Sequence, residues 1–353
     1  FISSNKFFRA GYGKKLRTYL RDNACLKTVI DFGDLPIFEA TTYPCVLVAG
    51  NRRPGDGEAT MQALNVNSMT TLEYLADAVQ HEGWPQPQRS LRRDGWAVEQ
   101  PEVLALLDKL RRTGMPLGEY VGGKFYRGIV TGLNKAFVID QATRDRLVAE
   151  DPRSTEIIKP WLRGRNVKRW QVEWAGQYLL WAHKGIAIEE YPAVLEYLSG
   201  FREQLAKRWE PSRGQCKWYE LRSCDYYAEF EEPKILYPDI ANRCEFTFDE
   251  QGFYGGNTIY FIPLTDLALL GILNSQVIEF FYRQISSMIQ QDYLRFFTQY
   301  LSQIPIPDTI PAQRAAIELL VRKLLDAKGQ GPQVAEWERE LNALVYELYG
   351  LTE

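Results

Sequence analysis

Gly122-Gly123-Lys124-Phe125-Tyr126-Arg127-Gly128-Ile129-Val130-Thr131-Gly132-Leu133-Asn134-Lys135-Ala136-Phe137-Val138-Ile139 alternates apolar and cationic residues around a Thr-Gly-Leu-Asn turn. It reads as a hairpin-like pair of strands. Glycine lets a backbone approach a ligand closely, and Lys124, Arg127, Thr131, Asn134 and Lys135 carry side chains of the types that reach phosphates and base edges. A solvated β-hairpin accounts for the same residues. A second stretch, Ile158-Lys159-Pro160-Trp161-Leu162-Arg163-Gly164-Arg165-Asn166-Val167-Lys168-Arg169-Trp170, interleaves Arg163, Arg165, Lys168 and Arg169 with Trp161 and Trp170. Cations of this kind neutralise phosphates, while tryptophan anchors a loop or stacks on a base. The bland alternative is a basic turn held by buried tryptophans. Two such stretches in one region favour nucleic acid more than either does alone.

Around them, residues 118–307 alternate short strands, glycine turns and a helix at 193–209, which is α+β texture. Lys217-Trp218-Tyr219-Glu220-Leu221-Arg222 and Pro233-Lys234-Ile235-Leu236-Tyr237-Pro238-Asp239-Ile240 read as strand segments, and Asp239 in the second as a turn or capping residue rather than a functional carboxylate. Upstream, residues 12–20 place Leu16, Tyr19 and Leu20 at helical spacing among Lys14, Lys15 and Arg17, an amphipathic helix with a basic outer face. Strands follow at 28–32, 41–49 and 61–66. This order resembles the closing edge of an open α/β sheet, with antiparallel strands added last. Residues 67–118 read as a helical spacer, with helices at 71–79 and 101–112. Residues 308–353 hold two helices, 311–327 and 333–349, expected to pack as a hairpin across the Gly329-Gln330-Gly331-Pro332 break. The fold class expected is mixed α+β.

The 353 residues allow two to three domains, and their apolar runs are too short for a membrane span. Five cysteines without a C-x-x-C pair and two distant histidines, His81 and His183, give no metal site and no histidine-based catalytic arrangement. The cysteines read as reduced, buried thiols of a cytoplasmic protein. The chain starts at Phe1 without a signal-peptide pattern, and it reads as a portion of a longer protein. A formal net charge of −3 argues at first against a polyanionic partner. Locally the charge is segregated: residues 1–27 carry seven Lys/Arg against Asp22, residues 159–169 carry five cations and no acid, and residues 225–250 carry eight acids against Lys234 and Arg243. A basic cleft on an acidic body has this signature.

Taken in order, these segments resemble the later part of an amino-methyltransferase domain followed by a TaqI-like C-terminal specificity domain, as in type IIG restriction–modification enzymes and related phage-exclusion methyltransferases. The resemblance is carried by Ile2-Ser3-Ser4-Asn5-Lys6-Phe7-Phe8, Ile30-Asp31-Phe32-Gly33, Ile37-Phe38-Glu39-Ala40, Phe125-Tyr126-Arg127-Gly128-Ile129-Val130-Thr131-Gly132-Leu133-Asn134, Leu162-Arg163-Gly164-Arg165-Asn166, Tyr237-Pro238-Asp239-Ile240, Gln303-Ile304-Pro305-Ile306-Pro307 and the final helix. It implies methyl transfer from S-adenosylmethionine to the N6 of adenine in a short site on double-stranded DNA, with the target base flipped out of the duplex. The position matching the family's stacking aromatic is Phe38. Residues 1–66 would end the catalytic domain and 119–307 would form the target-recognition domain. The family's cofactor-binding glycine motif and its Asn/Asp-Pro-Pro-Tyr/Phe motif are absent from these residues. The expectation is therefore that this chain binds DNA but neither binds the cofactor nor methylates, its catalytic part, with or without a fused nuclease, lying upstream. A stand-alone DNA specificity subunit and an aromatic-rich carbohydrate- or protein-binding module are the alternatives.

Overall fold

Leu26, Val29, Leu47, Met61 and Ala63 point one way from three neighbouring strands, while Ile30, Leu64 and Val66 point the other. The strands therefore need cover on both faces, as in an α/β layer. The structure, a computed structural model, describes residues 1–40, 42–54, 59–289 and 292–352. It divides into two units, one of residues 1–117, 276–308 and 348–352, the other of residues 118–275 and 309–347. Among the described residues no helix is long and apolar enough to cross a membrane.

In the first unit a five-stranded sheet runs in the order Ile2–Ser4, Pro44–Gly50, Cys25–Asp31, Thr60–Asn65, Trp84–Pro87. Cys25–Asp31 pairs antiparallel with Pro44–Gly50 (Val29 opposite Leu47) and parallel with Thr60–Asn65 (Val29 opposite Ala63). The expected strands are all present, but the third is parallel rather than antiparallel to the first. Trp84–Pro87, inside the expected spacer, pairs as a further strand of this sheet. Phe7, Phe8 and Trp96 close one face, with the two phenylalanine rings 4.8 Å apart and edge to face. Residues 276–308 pack with this unit: Pro305–Pro307 pairs antiparallel with Gly114–Pro116.

The helix Lys14–Asn23 departs from its expected orientation. Leu16 and Tyr19 are exposed, whereas Arg17 is only 1% exposed. Its guanidinium donates to the carbonyls of Phe7 (2.6 Å), Ala10 (2.8 Å), Arg93 (3.1 Å) and Asp94 (2.9 Å). Four charge-assisted bonds offset the cost of burying the cation. Thus Arg17 ties these segments together, and the basic outer face is left to its neighbours.

The second unit contains two four-stranded sheets. One has the order Tyr254–Gly255, Ile158–Leu162, Gln177–Leu180, Val138–Ile139; the other Thr247–Asp249, Lys234–Pro238, Ile259–Ile262, Tyr126–Arg127. Trp161, Leu179, Phe230, Tyr254 and Phe261 belong to one continuous apolar core. Three helices, Leu267–Leu273, Pro311–Asp326 and Val334–Leu348, converge on Gly271, where a Cβ would lie 2.8 Å from Ile317 and 3.2 Å from Leu341. Mixed α+β describes the chain. Two expected elements differ: residues 217–222 form turns, not a strand, and the helix expected at 193–209 breaks at Gly200 into Pro192–Ser199, Arg202–Ala206 and Trp209–Ser212.

Candidate nucleic-acid interface

The stretch 122–139 is not a hairpin. Tyr126–Arg127 pairs with Ile259–Ile262, with Arg127 opposite Tyr260, whereas Val138–Ile139 pairs in the other sheet, with Ile139 opposite Tyr178. The chain therefore crosses between the sheets through the turn at Gly132 (φ +70°) and the short helix Asn134–Phe137. Buried Thr131 donates through Oγ1 to Asn134 Oδ1 at 2.6 Å, and its carbonyl accepts from Arg208 Nη1 at 2.9 Å. These bonds fix the shape of the turn. Lys124, Arg127, Asn134 and Lys135 are exposed around it. Arg127 is braced by a bond from Nε to the Asn257 carbonyl at 3.0 Å, and its own carbonyl accepts from the Tyr226 hydroxyl at 2.9 Å. Tyr226 stacks on Tyr126 at 4.5 Å, and burial, followed by the nearby Cys224, pushes its phenol up to about 12.

The second basic stretch is held as tightly. Arg163 N donates to Asn166 Oδ1 at 2.8 Å, and Asn166 Nδ2 donates to the Glu173 carbonyl at 2.8 Å, so buried Asn166 shapes the loop. Arg165 is exposed; Arg163 and Lys168 are half-buried, and the Arg163 Nε is buried with no hydrogen-bond partner among the described residues. Arg169 stands apart from the other three cations: its guanidinium lies 2.8 Å from Glu338 Oε1, the same oxygen that accepts from the Trp170 indole at 2.7 Å. Lys124, Arg127, Lys135, Arg163, Arg165 and Lys168 pair with no acidic side chain among the described residues.

Both stretches meet on a third that sequence reading passed over, Tyr254-Gly255-Gly256-Asn257-Thr258-Ile259. Ile129 N donates to Gly255 O (2.7 Å), Gly128 N to Ile259 O (2.8 Å), Gly256 N to Leu162 O (2.9 Å) and Gly164 N to Thr258 Oγ1 (2.9 Å). The glycines are required by contact. A Cβ on Gly128 would lie 2.1 Å from Gly256 O, one on Gly164 2.7 Å from Thr258 O, and one on Gly256 2.7 Å from the Trp161 ring. This knot sets Arg127 on one side of exposed Asn257 and Arg163 and Arg165 beside Thr258. Its sequence signal was the Gly-Gly-Asn turn. Beneath it, the wholly buried Lys234 ammonium meets Asp249 at 2.8 Å and donates to the Phe230 carbonyl, and Asp249 accepts from the backbone of Gln251 and Phe253. Glu231 accepts from the Tyr254 hydroxyl and pairs with Lys159 at 3.1 Å; burial opposes its ionisation, but these two partners hold its carboxyl below the usual range.

In the first unit a cavity of about 250 Å³ opens at the carboxyl end of Cys25–Asp31, lined by Asn5, Lys6, Asp31, Tyr43, Asn67 and Met288, among others. Carboxyl ends of strands are where open α/β sheets bind ligands. Asp31 Oδ1 accepts from Asn5 Nδ2 (2.6 Å) and Gly33 N (2.9 Å). The Lys6 ammonium sits 3.6 Å over the Tyr43 ring, and burial, then Arg295 and Arg9, lowers its pKa. Phe38 lies on the connection leaving Asp31; it is 48% exposed and does not line the cavity.

Residues 159–306 match the family model of the TaqI-like C-terminal specificity domain. Over its full length the chain is similar to type II methyltransferases. It is 27% identical to M.PaeR7I of Pseudomonas aeruginosa, covering all of this chain and 61% of that protein, and 25% identical to M.XhoI of Xanthomonas vasicola, covering all of this chain and 65% of that protein. The chain thus spans a little under two thirds of the length of these relatives. Its fold is similar to that of the type IIL restriction–modification enzyme MmeI, solved in complex with DNA, with a TM-score of 0.65 at 16% identity over all of this chain and 47% of that one. The resemblance drawn from the sequence is borne out.

Proposed function

We propose that this chain is the DNA-recognition portion of a site-specific DNA adenine-N6 methyltransferase of a restriction–modification system. Residues 1–66 would end the catalytic domain and residues 119–307 would hold the target-recognition surface. The observation that carries this reading is the glycine knot, which gathers Arg127, Arg163 and Arg165, none of them paired with an acid among the described residues, around Asn257 and Thr258. Arg and Lys at such positions set register on phosphates, while Asn257, Asn134 or an arginine would read base edges. Arg169, spent on Glu338, would act by holding the loop.

Phe38 would stack on the flipped adenine, in line with its exposed ring on the connection that follows Asp31. The full enzyme would take its methyl group from S-adenosylmethionine. The residues present offer no built site for that cofactor: no G-x-G-x-x-G follows a strand, and the first unit's cavity sets Lys6 and Arg9 among Asp31, Asp34 and Asp292. Partners would be double-stranded DNA and the catalytic part of the same polypeptide, in the cytoplasm.

The double variant Arg163→Ala/Arg165→Ala tests the surface. It should weaken binding of the chain to duplex DNA about tenfold or more at about 100 mM salt. Unchanged affinity would remove this loop from the interface.

A further inference from the structure

Residues 207–222 contain Lys207, Arg208, Arg213, Lys217 and Arg222 against Glu210 and Glu220, with Trp209 among them, and they take no part in the glycine knot. Trp209 opens a four-residue helix and is 54% exposed, in contrast to the buried Trp161 and Trp170. Its ring carries the Arg213 guanidinium 3.2 Å from its centroid. It lines an open cleft of about 530 Å³ together with Val130, Thr131, Gly132, Arg208, Glu210 and Arg222. The floor of that cleft is rigid. Arg208 donates to the carbonyls of Thr131 (2.9 Å), Trp218 (2.7 Å) and Glu220 (2.7 Å), and a Cβ on Gly132 would lie 2.9 Å from the Arg208 side chain. Arg222, exposed at the rim, reaches Glu210 at 2.9 Å.

We propose that this cleft takes an unstacked nucleobase, with the Trp209 face opposite Arg213 as the stacking platform and Arg213 meeting a flanking phosphate. The inference rests on the DNA-binding reading above and deepens it. An exposed indole flanked by cations has the chemistry of single-strand stacking platforms. Gly132, against which the Arg208 stem packs, forms the cleft wall beside the Thr131-Asn134 turn. The surrounding charge suits a polyanion: five cations stand against two carboxylates over residues 207–222.

The test uses the 353-residue chain and two fluorescent 20-base-pair duplexes, one perfect and one carrying a single bulged adenine. Wild type should bind the bulged duplex more tightly than the perfect one. Trp209→Ala should weaken binding of the bulged duplex about tenfold, the scale of one lost base–aromatic stack, while changing perfect-duplex binding less than twofold. Trp209→Phe should keep most of the gain. If wild type binds both duplexes and Trp209→Ala leaves the preference for the bulge intact, the cleft is not a base site and the DNA-binding reading stands. If wild type binds neither duplex, both readings fall.

Discussion

Phe38 is an apolar ring left 48% exposed on the connection between Cys25–Asp31 and Pro44–Gly50. Such a ring contributes little to the core, so its removal separates stacking from folding. In the full-length enzyme proposed above, Phe38→Ala should leave thermal stability within about 0.5 kcal/mol and slow methylation about tenfold, the scale of one lost base–aromatic stack. Fluorescence of 2-aminopurine at the target position reads the same event. A normal rate with normal fluorescence would take Phe38 out of the base site. Arg169 teaches the opposite lesson at this scale. Its neighbours in sequence suggest a DNA contact, yet its charge faces Glu338, about 170 positions downstream.

Among elements, the glycine knot is the least forgiving. A Cβ on Gly128 meets a backbone carbonyl at 2.1 Å, which cannot rotate away as a side chain can. Gly128→Ala should therefore cost about 2–4 kcal/mol, the range of severe overpacking, and lower the melting temperature by several degrees. Gly50→Ala, whose Cβ would meet nothing closer than 3.8 Å, should change it by less than about 0.5 kcal/mol. Equal melting temperatures for the two variants would show that the knot is not close-packed. The strands at 28–32, 41–49 and 61–66 and both tail helices were legible because apolar spacing reports local structure. The parallel pairing of Thr60–Asn65 was not, since spacing carries no strand direction. Nor was the crossing of 122–139, because a period of two does not say which strand lies opposite. The burial of Arg17 was hidden for a similar reason. A cation in an amphipathic pattern reads as solvated, and the four carbonyls that hold it come from other segments, Phe7 and Ala10 before the helix and Arg93 and Asp94 far after it.

For the whole molecule, a net charge of −3 is a poor guide to partners, because it sums an acidic stretch at 225–250 with basic stretches elsewhere. The two basic stretches of the interface were legible by composition. Their junction was not: Arg127 meets Asn257 across 130 positions and Gly164 meets Thr258 across 94. What matters for a polyanion at this interface is the set of cations in the two basic stretches that pair with no carboxylate among the described residues: Lys124, Arg127, Lys135, Arg163, Arg165 and Lys168. If these six contact phosphates, the logarithm of the association constant for duplex DNA should fall with the logarithm of salt concentration with a slope of about −5. Titrating the chain with duplex DNA between about 50 and 200 mM salt measures that slope directly. A steep decline near −5 is the predicted result; a flat dependence, or no binding at the lowest salt, would contradict the account.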